Sequence, residues 1–319
     1  MKLKKLKILV EKIKTAKSVL VVGHKNPDGD SLCSVLALAR LIKLNFGHDA
    51  VCVYDGNIPD ALDRVPMRDD IKYVGKTDLN KSFDLMFVLD YGAMKNLGGA
   101  IQAFENARFT VEIDHHKNDD EIADLSLNDV NAAAVGEIIF NIAEKLHWVR
   151  DDVVNELIAT SIITDTGWFE YVRRGNVLRI MASLVDGGVC VESIMDGLNN
   201  KPRKTVLTEA AVASRAEFLY RGRLALAIVG KDEYKKLDGR GNIILTLLGQ
   251  IRGVEYIIVL KQQKEKQIGV SLRGRGGAVD DIAAALGGGG HKYAAGAVIY
   301  DTLENARKRV LDLFGGKFK

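Results

Sequence analysis

The sequence predicts an α/β protein: an N-terminal domain on a mostly parallel sheet and a smaller C-terminal α/β domain, joined by a helical linker. Three observations predict it. Residues 18–185 alternate short apolar strand-like runs with longer helical ones, the signature of a parallel sheet covered by helices. Four of those apolar runs deliver Asp or His at their ends, and sites in open α/β sheets form at the carboxyl ends of strands. After Asn199-Asn200-Lys201-Pro202 a second set of strands and helices begins, as 319 residues allow for about two domains.

Taken in order, the basic segment Met1-Lys2-Leu3-Lys4-Lys5-Leu6-Lys7-Ile8-Leu9-Val10 puts Leu3, Leu6, Ile8, Leu9 and Ile13 on one helical face. We expect an amphipathic helix docked on the domain. It lacks the uninterrupted apolar region and the small-residue cleavage site of a signal peptide. No apolar run approaches 18 residues, so no transmembrane helix and no membrane association are expected. Residues 18–22 form the first strand. A helix opens at Asp30 or Ser31 and runs to about Lys43, with Leu32, Val35, Leu36, Leu38, Ala39 and Ile42 apolar. Residues 50–54, 83–89 and 109–113 read as strands, and 134–146 and 153–163 as helices.

Gly187-Gly188 interrupts this pattern, and residues 201–218 suit a connecting helix. The expected division is 1–187, a linker over 188–217, and 218–319. In the last part 223–229, 254–261 and 267–273 read as strands, 280–286 as a short helix, 297–300 as a final strand and 303–314 as a closing helix.

Composition is that of a soluble protein, 47% hydrophobic and 27% charged. A formal net charge of +3 is too small for a long nucleic-acid track and leaves room for a local basic groove. Cys33, Cys52 and Cys190 have no CxxC spacing. They suit a reducing, cytoplasmic compartment and packing as small hydrophobes.

The chemistry concentrates in a few runs. Val111-Glu112-Ile113-Asp114-His115-His116 places an Asp-His-His triplet after an apolar strand. Gly23-His24-Lys25-Asn26-Pro27-Asp28-Gly29-Asp30-Ser31 follows the first strand, Asp90 follows Leu85-Met86-Phe87-Val88-Leu89, and Asp165 ends Ile162-Ile163-Thr164-Asp165. One Asp after a strand is ordinarily a helix cap or turn former. Four segments bringing Asp and His to one edge are not explained by capping. Carboxylates and imidazoles without clustered cysteine favour Mn²⁺, Mg²⁺, Fe²⁺, Co²⁺ or Zn²⁺. These groups are too many for one ion. They suit two ions roughly 3.5–4 Å apart, as in phosphoryl transfer, with Asp90 as bridge and water activated for attack on phosphorus. A remaining His would donate a proton to the leaving oxygen or steady a phosphoryl oxygen.

A second signal is Gly287-Gly288-Gly289-Gly290-His291-Lys292 with Arg273 and Arg275 upstream. Four glycines alone are equally a flexible turn. With the basic residues they read as phosphate or nucleotide binding, since glycine backbone approaches an anion closely and Arg binds phosphate in two-pronged fashion. His48 and His147 read as surface residues and Trp148 as packing. Trp168, Phe169 and Tyr171, just after Asp165, are either core or a surface for stacking on a base.

At these motifs the chain resembles the DHH phosphoesterase superfamily, named for the run present here as Asp114-His115-His116. His24-Lys25-Asn26-Pro27-Asp28-Gly29-Asp30-Ser31 resembles its first motif, Leu89-Asp90-Tyr91-Gly92 its second, and Thr164-Asp165-Thr166-Gly167 its fourth. Gly287-Gly288-Gly289-Gly290-His291 resembles the substrate-binding DHHA1 domain. The resemblance extends from about residue 18 to the end. It is strongest to the short two-domain branch of oligoribonucleases (nanoRNases) and 3′-phosphoadenosine-5′-phosphate phosphatases.

The resemblance implies a hydrolase acting on phosphate esters with two Mn²⁺ ions, Mg²⁺ or Co²⁺ being substitutes. His24, Asp28 and Asp90 would hold one ion, and Asp30, Asp90, His115 and Asp165 the other. His116 would contact the scissile phosphate or act as general acid. Asp114 would orient the centre from outside the ligand set or approach a metal. Arg273, Gly288, Gly289, Gly290 and His291 would hold the substrate's phosphate or terminal nucleotide across an interdomain cleft. Substrates would be short RNA or DNA oligonucleotides or dinucleotides cut to 5′-mononucleotides, or 3′-phosphoadenosine-5′-phosphate. The resemblance also implies a homodimer. Asn131-Ala132-Ala133-Ala134 departs from the small hydroxyl residues expected there, which puts a supporting hydrogen bond in doubt.

Rival expectations are a phosphodiesterase specific for linear or cyclic di-adenylate, a long-strand exonuclease of the RecJ type, an inorganic pyrophosphatase and a catalytically silent nucleotide sensor. Low net charge and modest length argue against the exonuclease. The glycine-histidine segment argues against the pyrophosphatase, and ligands at all four motifs argue against the sensor.

Overall fold

The N-terminal periodicity is realised as α1 (Leu3–Thr15), which buries Leu6, Leu9 and Ile13 completely while Leu3 is exposed. The computed structural model describes residues 2–117, 121–172, 174–237 and 242–318, with the side chains of Asn242 and His291 outside the described set. The chain divides into two units, Met1–Asn200 and Lys201–Lys319.

In the first unit α1 is followed by β1 (Val19–Val22), α2 (Gly29–Phe46), β2 (Ala50–Tyr54), β3 (Lys72–Tyr73), β4 (Leu85–Leu89), α3 (Ile101–Asn106), β5 (Thr110–Ile113), β6 (Leu125–Ser126), α4 (Val135–Leu146), α5 (Asp152–Asp165), α6 (Gly175–Asp186) and α7 (Val191–Asn199). The strands form one sheet in the order β3-β2-β1-β4-β5-β6, every pairing parallel. Successive side chains point to opposite faces, and here both faces are buried, which is why the strands read as continuous apolar runs. Val19, Val21, Leu85, Phe87, Leu89, Val111 and Ile113 face the larger core with α1, α2, α4 and α5. Leu20, Val22, Met86 and Val88 face a smaller core closed by Phe83, Leu97 and Phe104.

Helix α2 opens earlier than its apolar spacing indicates because Asp28 caps it. The Asp28 carboxylate accepts the Ser31 N–H at 3.0 Å, satisfying an otherwise orphaned donor. The helix ends at Gly47, left-handed at φ 75°. Cys33 and Cys52 are buried as expected, whereas Cys190, at the start of α7, is exposed. Trp148 packs edge-on against Phe46.

The second unit contains α8 (Arg203–Ser214), β7 (Glu217–Leu219), β8 (Leu224–Val229), α9 (Lys231–Lys236), α10 (Asn242–Gly249), β9 (Tyr256–Lys264), β10 (Gln267–Gly274), α11 (Asp280–Ala285), β11 (Gly289–His291), β12 (Ala294–Ile299) and α12 (Leu303–Phe314). Its mixed sheet has the order β11-β12-β10-β9-β8-β7, with β8 and β9 parallel and the other pairs antiparallel. Residues 217–219 leave the expected connecting helix to pair with β8, tertiary pairing overriding local propensity. Leu226, Ile258, Leu260, Val270 and Leu272 pack on one face with Ile282, Val310 and Phe314. Ala227, Val229, Ile257 and Val259 pack on the other with Val212, Ile244 and Leu248. Among the described residues no helix is long and apolar enough to cross a membrane.

Candidate metal-dependent active site

Strands β1 and β4 are neighbours in the sheet but not in the chain: from β1 the chain runs out to β2, and from β4 it continues towards β5. The segments leaving their carboxyl ends diverge, and such a switch point leaves a crevice. His24, Asp28 and Asp30 come from the loop after β1 and the first turn of α2. Asp90 follows β4 immediately, held at φ 50°, a left-handed conformation that non-glycine residues adopt sparingly and mostly at constrained sites. Asp114, His115 and His116 follow β5. Asp165 is different: it is delivered by the last turn of a helix, α5, not by a strand.

These four segments converge. His24 Nε2 lies 3.7 Å from both Asp28 Oδ1 and Asp90 Oδ2. His115 Nε2 lies 3.3 Å from Asp165 Oδ2, 3.6 Å from Asp90 Oδ1 and 3.9 Å from Asp30 Oδ2. His116 Nδ1 lies 3.5 Å from Asp90 Oδ1. Three overlapping donor sets result: His24, Asp28 and Asp90; Asp30, His115 and Asp165; Asp90, His115 and His116, each with ligand atoms within 4.8 Å of one another. Asp114 belongs to none of them. Its Oδ1 accepts the N–H groups of His115 at 2.7 Å and His116 at 3.0 Å and faces His116 Nδ1 at 2.8 Å, while Oδ2 accepts the Gly92 N–H at 2.8 Å. It anchors both histidines and the loop after β4.

The donors are held by residues that the sequence alone did not single out. Asp30 Oδ1 accepts hydrogen bonds from Ser34 at 2.9 Å and from Ser161, and Oδ2 accepts the Val135 N–H at 2.7 Å. His115 Nδ1 faces the Ala132 carbonyl at 3.3 Å. His24 Nδ1 faces the Lys25 carbonyl at 2.9 Å, a contact that turns Nε2 toward the carboxylates. The hydroxyl-free stretch Asn131-Ala132-Ala133-Ala134 reaches the donors through its backbone rather than its side chains. Backbone groups of residues 132 and 135, with Ser161 on α5, make the supporting contacts.

Charge balance in the cluster calls for cations. Burial and the neighbouring Asp30 push the Asp90 carboxyl well above its usual range. Burial and Asp30 likewise raise Asp165, to about 8. Burial alone would depress the imidazoles, but surrounding carboxylates win and raise His24 to about 10 and His115 to about 11. Among the described residues nothing donates a hydrogen bond to the buried Asp90 Oδ1. A buried acceptor without a hydrogen bond is costly, and this one faces the imidazoles of His115 and His116 at 3.6 and 3.5 Å. Carboxylate and imidazole donors around a buried carboxylate oxygen that accepts no hydrogen bond from the described residues fit hard or borderline divalent ions.

The DHH family, N-terminal domain, matches residues 18–164, and the DHHA1 domain matches residues 231–318. The chain belongs to the DHH/DHHA1 phosphoesterase family. It is a hydrolase that acts on phosphate esters. It is 28% identical, over 97% of this chain and 93% of the relative, to the bifunctional oligoribonuclease and PAP phosphatase NrnA of Thermus thermophilus. It is 27% identical, over 94% of this chain and 95% of the relative, to the Streptococcus mutans protein named "Probable bifunctional oligoribonuclease and PAP phosphatase NrnA". Its fold matches an exopolyphosphatase-related protein from Bacteroides fragilis with a TM-score of 0.88 at 22% identity, over 99% of this chain and 97% of that one.

Within the DHHA1 unit, the glycine run is not a free loop. Gly289–His291 is an edge strand paired with Ala294–Gly296 of β12. A Cβ at Gly288 would strike the Gly296 carbonyl, whereas one at Gly289 would meet nothing within 4 Å. The glycines thus allow close strand packing and leave one side of the edge open. The His291 side chain lies outside the described residues. Arg273 is half-buried and its Nη1 donates to the Leu272 carbonyl at 3.2 Å. Arg275 is engaged with the Gly249 carbonyl. Lys261 is a residue the sequence reading passed over. Its register opposite Gly269 puts it on the same sheet face as Ser271 and Arg273. It is 9% exposed, and no described residue pairs with its ammonium. Burial, then the Arg273 charge, lowers its pKa to about 8. A lysine ending the apolar run Ile257-Ile258-Val259-Leu260 was the signal that would have found it.

Proposed function

We propose that the chain hydrolyses short oligonucleotides and dinucleotides to 5′-mononucleotides, and 3′-phosphoadenosine-5′-phosphate to AMP. The observation that carries this reading is the set of three overlapping donor groups sharing Asp90 and His115. Relatives named as bifunctional oligoribonucleases and PAP phosphatases support the substrate class. Both reactions break the bond between phosphorus and a 3′ oxygen, so one site serves both.

His24, Asp28 and Asp90 would hold one divalent ion, and Asp30, Asp90, His115 and Asp165 a second, Mn²⁺ by preference. When bound, such ions polarise phosphoryl oxygens and make water more acidic. Asp90 lies 3.7 Å from His24 and 3.6 Å from His115 and would be the shared ligand. His116, fixed by Asp114, steadies the scissile phosphate or protonates the leaving 3′ oxygen. In the DHHA1 unit Arg273 and His291, with the backbone of Gly288, Gly289 and Gly290 and the open side at Gly289, hold a substrate phosphate, and Lys261 adds positive charge on Arg273's face. A cytoplasmic site of action fits three cysteines without disulfides.

The test is incubation with Mn²⁺ and a 5′-labelled RNA ladder from two to about twenty nucleotides, typical single-strand site sizes being about 4–16. Preferential loss of the shortest species to mononucleotides is expected. Equal or faster cutting of long strands would make it a long-strand exonuclease. No cutting would shift the substrate to cyclic dinucleotides or pyrophosphate.

A further inference from the structure

The chain leaving α5 makes three consecutive left-handed residues: Gly167 at φ 57°, Trp168 at 62° and Phe169 at 68°. Glycine adopts this conformation readily; two bulky aromatic residues do so only where surrounding contacts enforce it. Here the contacts are explicit. The Trp168 N–H bonds to the Ile163 carbonyl at 2.9 Å and the Tyr171 N–H to the Thr166 carbonyl at 2.9 Å. The Phe169 N–H bonds to Thr166 Oγ1 at 3.1 Å, and that buried hydroxyl donates to the Ile162 carbonyl at 2.7 Å. The Tyr171 ring lies so close to the Gly167 α-carbon that a Cβ there would collide with it.

The three aromatic residues then separate. Phe169 packs against the core of the first unit. Trp168 stays 40% exposed, in contrast to Trp148, which rests on Phe46. Trp168 is three residues beyond Asp165, whose carboxylate is 3.3 Å from His115. A constrained turn thus carries a partly exposed indole three residues beyond Asp165 of the donor cluster.

We propose that Trp168 is a stacking surface for a nucleobase of the substrate. The inference rests on the oligonucleotide reading above and adds how the base, which the metal ligands do not recognise, is bound. Every base has a π-face, so such a contact tolerates sequence while rewarding the presence of a base. A backbone fixed in advance at this position lowers the ordering cost of binding.

Two measurements on the full-length chain test it. In the first, KM for a diribonucleotide is measured with Mn²⁺ in wild type, Trp168→Ala and Trp168→Tyr. The alanine variant is expected to raise KM about ten- to a hundredfold, and tyrosine to restore most of it. A dinucleotide analogue lacking both bases should be cut equally by all three. In the second, AMP is titrated into metal-free protein while tryptophan fluorescence is followed. Quenching in wild type and its absence in Trp168→Ala, where only Trp148 remains, is expected. Unchanged KM, or quenching that survives in Trp168→Ala, overturns the stacking role. A wild-type protein that cuts no oligonucleotide overturns the substrate reading, and the AMP titration then decides the stacking role alone: absence of quenching in wild type overturns it.

Discussion

His116 Nδ1 lies 2.8 Å from Asp114 Oδ1, and the same oxygen receives the backbone N–H groups of both histidines. One buried carboxylate thus directs the His116 imidazole and fixes the backbone of both histidines without itself joining a donor set. Burial opposes its ionisation, but the His116 contacts and the Gly92 N–H hold it well below the usual carboxylate range.

Replacing Asp114 by Asn keeps the shape but puts an amide where the Gly92 N–H or the histidine N–H groups need an acceptor. We expect kcat to fall about 10- to 100-fold, the usual scale for residues that support metal ligands, with metal affinity little changed. Calorimetric titration of Mn²⁺ beside steady-state kinetics checks this. A variant with normal kcat would remove Asp114 from the orienting role.

Asp90→Asn should separate stability from activity. It removes a buried carboxylate that Asp30 repels and burial penalises. Metal-free Asp90→Asn should therefore be about 1 kcal/mol or more stabler than metal-free wild type. The variant should lose hydrolysis and gain no Tm on adding Mn²⁺. Wild-type turnover in Asp90→Asn would sink the shared-ligand role.

Metal affinity should rise with pH. His24 and His115, raised to about 10 and about 11 in the metal-free protein, carry protons at neutral pH, and a metal binds only the neutral ring. Binding therefore releases protons and tightens as pH climbs. In the metal-free protein the raised values contribute stability that is full below the unfolded pKa of 6.5 and is lost as pH passes about 10 and about 11. Heats of Mn²⁺ binding should vary with the buffer's ionisation enthalpy. Buffer-independent heats would contradict the proton release.

Lys261 supplies the opposite sign. Its pKa falls from 10.5 unfolded to about 8 folded, so the unfolded chain binds more protons in that window. The cost of burying the ammonium is present in full below pH 8 and is relieved as pH rises toward 10.5. In urea unfolding, the stability of wild type relative to Lys261→Met should rise across that window. At neutral pH, inorganic phosphate should stabilise wild type more than the variant. Equal pH profiles in the two proteins would show that Lys261 is not held as described.

The candidate metal ligands were legible because their chemistry is. His24, Asp28, Asp30, Asp90, His115 and Asp165 are the wrong residue types to end apolar runs unless something binds them, and all six meet in the folded chain. The sheet was legible because strands buried on both faces must be apolar throughout. The supports were not. Ser161 is an unremarkable hydroxyl inside a buried helix until folding brings it to Asp30, and Ala132 contributes only a carbonyl, which every residue type possesses.

The sequence by itself determined which side chains gather at the sheet's carboxyl edge, since periodicity and residue type are local properties. Only the tertiary structure decided that the Val135 N–H satisfies Asp30 across 105 residues, that Asp165 arrives from a helix, that Gly289–His291 is a strand and that Lys261 is buried. Each depends on which distant backbone or side chain lies alongside, and burial and pairing are set by packing between segments, about which local pattern is silent.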